Sequence, residues 1–384
     1  SQPSSLVKLS SNMTKTSGHI DWFILLSVVG LMLFSVAFVY SASSSFAMVK
    51  FGSSEKLFWN HAVRVLIGLG AIILFARIDY HKWEKFTTPI LLLALCCLVF
   101  VLVTGIKVKG AARWIHIGFI NFQPSEFVKF ALVLHISALA AAAKDYISDF
   151  RTGMLPLLIW IMITCGLVAA QPNLSTASVI FLITAIIMFV GNAPLKKLGL
   201  IAAGGFVMAA IYAVSAPYRL KRILAFIGSG EGTASEVINY QLQQAVIAFG
   251  NGGIFGVGPG QSLQRDFFLP ESYGDFVFAV VGEEYGFFGV LLIITAFGII
   301  LWRGFNVAKN APDLFGRLLA VGITVTLALY AFINAGVTCG VLPTTGLPMP
   351  FISYGGSSVF FSAAAVGTLL NISAQAGVYP NKSK

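Results

Sequence analysis

Apolar stretches of about 20 residues, separated by short segments that carry charges, Pro or Gly, recur from Trp22 almost to the end of the chain. Each stretch is long enough to cross the hydrocarbon core of a bilayer as a helix. The pattern therefore predicts an all-α polytopic membrane protein with about ten transmembrane helices and one long structured extracytoplasmic loop. The predicted spans are 22–41, 58–78, 88–106, 124–143, 153–170, 174–191, 198–216, 276–302, 317–338 and 358–377.

These spans divide the chain into an N-terminal tail (1–20), a membrane domain (21–377) and a C-terminal tail (378–384). The longest connection, 217–275, is predicted to be a large extracytoplasmic loop, and its apolar and aromatic residues indicate that it is structured. Within it, the mixed apolar and amide residues of 240–249 predict a helix. That helix lies either in the membrane interface or as a short cap on the bundle.

The distribution of Lys and Arg predicts the orientation of the spans. Short segments on the side of the N-terminus hold 14 of these residues, whereas short segments on the opposite side hold five. Because cytoplasmic loops carry the excess of Lys and Arg, both tails are predicted to be cytoplasmic.

Composition supports the membrane class and argues against others. Of the 384 residues, 57% are hydrophobic and only 10% are charged, which excludes a soluble enzyme. The net charge of +10 comes from Lys and Arg scattered between the spans, a distribution that argues against a nucleic-acid partner. The four cysteines lie within or at the ends of apolar spans without metal-ligand spacing and are predicted to be core residues.

Ionisable residues in or near the spans are candidates for function, because a charge in the hydrocarbon core is costly. Arg113, Glu126 and Lys129 form the first group. Glu126 and Lys129 are spaced i,i+3 at the start of a predicted helix, where the helix dipole favours anions. Arg113 and Lys129 are therefore predicted to hold an anionic group such as a diphosphate. The alternative is that Glu126 and Lys129 form a structural ion pair that binds no substrate.

Asp275 lies where the long loop becomes a span, near the lipid headgroups, so that a polar substrate can reach it. A partly desolvated carboxylate in such a position is suited to act as a general base. Spacing alone gives equal weight to a second role, the N-cap of the following helix. Glu271 is the competing carboxylate.

Arg64 and Glu283 lie at similar predicted depths inside their spans. Because each buried charge needs a partner, a structural ion pair of Arg64 with Glu283, or with the adjacent Glu284, is predicted. The connection before the last span is rich in Pro, Gly and hydroxyl groups, among them Ser353 and Ser357. It is predicted either to line a polar cavity, in which Ser353 and Ser357 would bind substrate, or to allow close helix packing through its glycines.

Several common catalytic signatures are absent from the sequence. It has no HExxH or GxSxG motif, and the glycine-rich stretch 250–260 lacks the Gly-Lys-Ser/Thr ending of a P-loop. No metal-binding residues are predicted. The sequence leaves open whether the protein uses a divalent cation such as Mg²⁺ as a cofactor.

Short motifs are distributed from the first span to the last. They are Val39-Tyr-Ser-Ala-Ser43, Ala112-Arg-Trp-Ile115, Gln123-Pro-Ser-Glu126 with Lys129, Gln171-Pro-Asn-Leu174, Leu269-Pro-Glu271, Asp275-Phe-Val-Phe278, Gly282-Glu-Glu284 and Ile352-Ser-Tyr-Gly-Gly-Ser-Ser358. These motifs resemble those of the SEDS family (shape, elongation, division, sporulation) and occur in the same order, so the resemblance covers essentially the whole chain. They are more similar to the cell-division member than to the elongation member.

The resemblance implies a ten-helix protein of the bacterial cytoplasmic (inner) membrane that polymerises lipid II into glycan strands on its outer face during septal cell-wall synthesis. It implies that Asp275 is the essential aspartate, and that Arg113, Glu126 and Lys129 occupy functional positions of the family. Asn173 departs from the family, which usually has Asp there, so a role that needs a charge is in doubt at this position.

The chemistry of this reaction needs one base and several cations. Asp275 is predicted to take the proton of the attacking hydroxyl, and Arg113 and Lys129 to stabilise the leaving undecaprenyl diphosphate, with Arg219 and Arg222 as further candidates. One base and a displaced diphosphate imply inversion at the anomeric carbon. The expected partners are lipid II, a class B penicillin-binding transpeptidase and other membrane proteins of the division machinery.

Two other classes of function are open at this point. A lipid II flippase or transporter is supported equally well by buried charges and glycine-broken helices. A non-catalytic scaffold for division proteins would leave Asp275 replaceable. The candidate groups gather in the outer half of the predicted bundle, which favours the polymerase over a flippase, and an elongation-type polymerase is the remaining alternative within the family.

Overall fold

The computed structural model describes residues 19–104, 107–108, 111–117, 120–215, 220, 233–269 and 273–376. Its α-helices in these ranges are α1 Trp22–Phe51, α2 Lys56–Arg77, α3 Tyr80–Thr104, α4 Pro124–Ala142, α5 Leu155–Ala170, α6 Leu174–Val190, α7 Leu195–Val214, α8 Thr233–Gly252, α9 Val277–Asn310, α10 Leu314–Thr338 and α11 Gly356–Gln375. Nine helices of the described part are long and apolar enough to cross a membrane, and the shorter apolar α6 coincides with the remaining predicted span. The predicted polytopic all-α class is confirmed.

Capping residues explain where several helices begin. Asp21 accepts hydrogen bonds from two backbone N–H groups in the first turn of α1, and Asp313 accepts one from Gly316 in the first turn of α10. Pro124 occupies the first turn of α4, where the N–H that proline lacks would have no partner in the helix. These helix starts follow directly from local sequence chemistry.

Three helices form the centre of the bundle. The apolar spans of α4 and α10 are 78% buried and that of α11 is 83% buried, whereas α7 is only 11% buried. The outer helices expose many Leu, Phe and Trp side chains, as expected of surfaces that face lipid. The central helices carry Glu126, Lys129 and Ser357, so these predicted site residues lie inside the bundle.

Two antiparallel ribbons lie in the connection between α3 and α4. β1 (Lys107–Val108) pairs with β2 (Ala111–Ala112), and β3 (Ile115–Ile117) pairs with β4 (Ile120–Phe122). The hydrophobic pattern does not predict these strands because each has three residues or fewer. They hold Arg113, which lies between β2 and β3, at one end of the bundle.

α8 runs parallel to the first part of α9. Phe249 packs edge-on against Phe278 with ring centroids 5.8 Å apart, and further along both segments Gly252 meets the backbone of Gly282. The helix predicted at 240–249 is therefore longer than the sequence indicates and packs along α9. After α8 the chain turns back through a glycine-rich segment and a short π-helix, Gln264–Phe268.

α9 is broken at Gly286, which has φ 63° and ψ −159°. The helical hydrogen bonds lost at this break are replaced by bonds to the glycine-rich turn after α8, so backbone groups deep in the bundle keep partners. Phe287 N donates to Gly253 O (2.9 Å), Phe288 N to Ile254 O (3.4 Å), Val257 N to Glu283 O (2.9 Å) and Gly258 N to Glu284 O (3.0 Å). The glycine-rich stretch is therefore part of the fold rather than a phosphate cradle.

Candidate functional site

Asp275 lies in the turn 273–276 that leads into α9. Phe276, and not Asp275, occupies the N-cap position of α9, and it makes no side-chain capping hydrogen bond. The alternative role of Asp275 as the N-cap residue is therefore not what the structure shows. The connections between α3 and α4, α5 and α6, and α10 and α11 share this end of the bundle, which we call the site end.

The connection between α10 and α11 holds the turn of Asp275 in place. Tyr354 N donates to Tyr273 O at 3.0 Å, and Ser353 Oγ donates to Gly274 O at 2.9 Å. Ser353 Oγ also accepts a hydrogen bond of 2.8 Å from Met349 N. Ser353, predicted to bind substrate, is thus placed where it braces the backbone next to Asp275.

A small cavity of about 70 Å³ lies beside Asp275. Its polar walls come from Gln241 of α8, Asn334 of α10 and the hydroxyl residues Thr344 and Thr345 of the α10–α11 connection. The sequence analysis missed Asn334 because it considered only ionisable residues in the spans. An amide inside an apolar span carries the same signal, since a buried amide also needs partners.

Gly346 keeps the carboxylate of Asp275 accessible to this cavity. It has a φ of +70°, which strongly favours glycine, and a Cβ atom at this position would lie 3.3 Å from Oδ2 of Asp275. A side chain on residue 346 would therefore crowd the carboxylate. The Thr-Thr-Gly part of the Pro-Thr-Thr-Gly stretch therefore lines the cavity beside Asp275.

Arg113 donates hydrogen bonds to the backbone between α5 and α6. Its Nε donates to Gln171 O at 3.1 Å, and its Nη2 donates to Pro172 O. The guanidinium thus lies beside carbonyl groups at the C-terminal end of α5, where a positive charge is favourable. This position at the site end is compatible with the predicted diphosphate site, although it also gives Arg113 a structural role.

Glu126 and Lys129 form a buried ion pair in α4. Lys129 Nζ lies 2.7 Å from Glu126 Oε2, and the ammonium group lies 3.8 Å from the ring centroid of Tyr330 in α10. Both charged side chains are less than 10% exposed. The pairing expected from the i,i+3 spacing is present, and it neutralises the charge that the diphosphate would need.

Ser357 joins the start of α4 to the start of α11. Its Oγ accepts a hydrogen bond of 2.9 Å from Gln123 N and donates one of 3.2 Å to Asn121 O. Ser357 was predicted to bind substrate, and the contact that the structure gives it is with this backbone. Asn173 caps α6 by accepting from Thr176 N, a role for which Asn and Asp are equally suited.

The predicted ion pair of Arg64 with Glu283 or Glu284 is wrong. The guanidinium of Arg64 instead stacks on the ring of Tyr354, 4.3 Å from its centroid, and lies against Gly356. A guanidinium over an aromatic face gains cation–π stabilisation without a carboxylate. Similar depth in two spans does not bring their side chains to the same side of the bundle.

Glu283 and Glu284 bind to the chain that returns from α8. Glu284 pairs with Arg265 at 3.1 Å and accepts hydrogen bonds of 2.6 and 2.8 Å from Ser41 Oγ in α1. Glu283 accepts from Ser262 Oγ, from Asn251 Nδ2 (3.1 Å) and from Gln264 N (3.3 Å).

Sequence analysis missed Arg265 as the partner of Glu284. Its position in a long loop gave no sign that the loop returns to the depth of α9. Ser41 belongs to the Tyr-Ser-Ala-Ser motif, which was the available signal.

Some predicted residues lie outside the described part of the chain. Arg219 and Arg222, predicted for the diphosphate, and Glu271, the competing carboxylate, are among them. Within the described ranges no group of three or more His, Cys, Asp or Glu side chains is arranged to hold a metal ion.

Comparison with known proteins shows the family of this chain. A family model described as a cell cycle protein, which groups FtsW, RodA and SpoVE, matches residues 21–377. The chain is 40% identical over 369 residues to the probable peptidoglycan glycosyltransferase FtsW of Trichlorobacter lovleyi, a match covering 95% of this chain and 96% of that protein. It is 37% identical to the stage V sporulation protein E of Bacillus subtilis, over 91% of this chain and 96% of that protein.

Two solved structures share the fold. A chain from a structure of a peptidoglycan synthase complex that coordinates polymerisation and crosslinking superimposes with a TM-score of 0.74 at 28% identity, covering 92% of this chain and 97% of that one. The rod shape determining protein RodA of Thermus thermophilus gives a TM-score of 0.68 at 26% identity, covering 93% of this chain and 97% of that one.

Proposed function

Because this chain belongs to the FtsW, RodA and SpoVE family of cell cycle proteins, we propose that it is a peptidoglycan glycosyltransferase that polymerises lipid II in cell division. Relatives named as peptidoglycan glycosyltransferases and the likeness to a chain of a peptidoglycan synthase complex support the proposal. The observation that carries it at the level of the site is the carboxylate of Asp275 beside a polar-walled cavity at the site end of the bundle.

In the proposed reaction, the 4-hydroxyl oxygen of the acceptor sugar attacks the anomeric carbon of the donor. The bond from that carbon to the diphosphate oxygen breaks, and undecaprenyl diphosphate leaves with the electron pair. Asp275 takes the hydroxyl proton as general base. Attack and departure occur on opposite faces of the carbon, so its configuration is inverted.

The leaving diphosphate needs positive charge near it. We assign this role to Arg113 and Lys129, with Arg219 and Arg222 as further candidates. Arg113 supports the assignment through its position at the site end, and Lys129 would have to exchange its bond to Glu126 for one to the diphosphate. A divalent cation such as Mg²⁺, if bound with the substrate, would supply further positive charge for the leaving diphosphate.

The proposed partners are lipid II as substrate, a class B penicillin-binding transpeptidase and other membrane proteins of the division machinery. Support for the transpeptidase comes from the similar chain in a complex that couples polymerisation to crosslinking. We place the protein in the bacterial cytoplasmic membrane with both termini in the cytoplasm and the site end outside. The Lys and Arg distribution of the short connections supports this orientation.

Asp275→Asn tests the proposed base, because the amide keeps the shape of the side chain and removes its basicity. Strand synthesis from purified lipid II should fall by at least about 100-fold, the usual contribution of a general base. Elution of the purified protein on size exclusion and its binding to the transpeptidase should stay unchanged.

Glu271→Gln is the matched control, since it neutralises the other carboxylate of the same segment and should have a much smaller effect. Near-normal polymerisation by the Asp275→Asn protein would contradict the assignment and favour a flippase or scaffold. Repeating the assay with EDTA measures whether a divalent cation contributes.

A further inference from the structure

Asn334, a residue in the wall of the cavity beside Asp275, carries a buried hydrogen-bond acceptor that has no donor. Asn334 is 2% exposed and lines this cavity. Its Nδ2 donates to two backbone carbonyls, Asp275 O and Leu347 O, each at 2.8 Å. Its Oδ1 has no hydrogen-bond partner.

The orientation of the Asn334 amide follows from its two hydrogen bonds. Both neighbouring groups are carbonyl oxygens, which only accept, so the NH₂ group must face them and the oxygen must face away. A flipped amide would bring three acceptors together and lose both bonds. The unmet group is therefore an acceptor, and a ligand that satisfies it must donate a hydrogen bond.

The cavity is large enough for polar groups of a ligand to enter it. Its volume of about 70 Å³ has room for several groups of the size of a water molecule, since about 10–15 Å³ is enough for one. Two neighbouring hydroxyl groups at one edge of a sugar ring match the two acceptors of this region, the Asp275 carboxylate and Asn334 Oδ1.

Resting on the proposed function, we propose that this cavity receives the edge of the acceptor sugar that carries the attacking hydroxyl. Asp275 binds the 4-hydroxyl, and Asn334 Oδ1 accepts a hydrogen bond from the adjacent 3-hydroxyl of the terminal N-acetylglucosamine. Because Asn334 also holds the carbonyl of Asp275, one side chain sets the distance between the base and the sugar. Asn334 is thus a determinant of acceptor recognition as well as a brace.

Acceptor analogues of lipid II test this assignment on the unmodified protein. The donor is a labelled lipid II whose own 4-hydroxyl is removed, so that it reacts only as donor, and single couplings are counted. The acceptors are lipid II and its analogues lacking the 3-hydroxyl or the 6-hydroxyl of N-acetylglucosamine. Loss of the 3-hydroxyl should lower kcat/KM for the acceptor by about 10- to 100-fold, because it leaves Oδ1 buried without a donor. Loss of the 6-hydroxyl should have a much smaller effect.

An Asn334→Ala variant completes the comparison. It should be slower with natural lipid II, but removal of the 3-hydroxyl should cost it almost nothing more, because the atom that senses this hydroxyl is gone. A general structural defect would instead slow all acceptors and keep the 3-deoxy penalty. If the variant does not fold, the analogue series on the unmodified protein decides alone.

Equal use of the natural and 3-deoxy acceptors would overturn the inference, and so would a loss confined to the 6-deoxy acceptor. Either result leaves the proposed function intact, because natural lipid II is still polymerised. Failure of the unmodified protein and its transpeptidase complex to polymerise natural lipid II would instead overturn the proposed function itself.

Discussion

At the scale of single residues, Lys129 is a buried charge with a structural partner and a proposed role in the reaction. Its ammonium group lies between Glu126 and the ring of Tyr330, well inside the helices at the centre of the bundle. Both charges have left water, so each depends on the other for compensation. Any use of Lys129 by a diphosphate has to compete with this pair.

A double-mutant cycle separates the two roles. Glu126→Gln and Lys129→Met should each lower the free energy of unfolding by about 3–5 kcal/mol, because each leaves one buried charge without its partner. The protein with both changes should be more stable than either single variant. Thermal unfolding in detergent measures this order.

Polymerisation by the double variant then shows whether Lys129 is needed for more than stability. A stable double variant with full activity would remove Lys129 from the diphosphate site. A double variant that is no more stable than the single variants would contradict the pairing argument.

At the scale of secondary structure elements, the break in α9 depends on glycines in two segments. A Cβ on Gly286 would overlap the backbone of Gly256, and a Cβ on Gly256 would overlap the carbonyl group of Glu284. Both glycines also have positive φ, 63° and 83°, which disfavours any side chain. The turn after α8 can therefore reach the broken helix only because neither backbone carries a side chain.

Gly286→Ala and Gly256→Ala should each prevent normal folding, seen as low yield and aggregation on size exclusion in detergent. Gly298→Ala is the matched control in the same helix. Nothing lies within 4 Å of a Cβ at that position, and Ala favours a helix over Gly by about 1 kcal/mol. Normal yield and melting temperature of the Gly286→Ala protein would show that the break is not required.

The sequence predicts the spanning helices well, but it does not predict the break in α9 or the loop that packs against this break. Long apolar runs and caps such as Asp21 and Pro124 are local signals, so the helix count and many helix starts are predictable. The break at Gly286 is not, because its hydrogen bonds go to residues about 30 positions away.

The same distinction holds for the candidate site. The i,i+3 pair of Glu126 and Lys129 is correctly expected, since both partners lie on one helix. The partner of Arg64 is wrongly expected, because depth along a helix says nothing about which side of the bundle a side chain faces.

At the scale of the whole molecule, polar contacts join α1 and α9 at two depths. In the half of α9 nearer the site end, Ser41 of α1 donates to Glu284, nine residues after Asp275. At the opposite end, Asp21 binds Arg303 at 2.6 Å, and the backbone N–H of Asp21 donates to Ser373 Oγ of α11 at 3.1 Å. About 40 Å of helix separates Arg303 from Asp275, whereas only about 13 Å separates Glu284 from it, so the contacts of Glu284 can influence the geometry of the reaction more directly.

The two ends should therefore respond differently to matched carboxylate-to-amide changes. Asp21→Asn keeps a capping oxygen for α1 but loses the ion pair with Arg303, and should lower stability by about 1–3 kcal/mol. Its polymerisation rate per folded molecule should stay unchanged. Glu284→Gln removes the charge that Arg265 faces, in the segment that leads to the turn of Asp275. It should lower both the melting temperature in detergent and the rate of strand synthesis from lipid II. Equal losses of rate in the two folded variants would contradict this picture, because the contacts far from Asp275 would then control the reaction as strongly as those nearer to it.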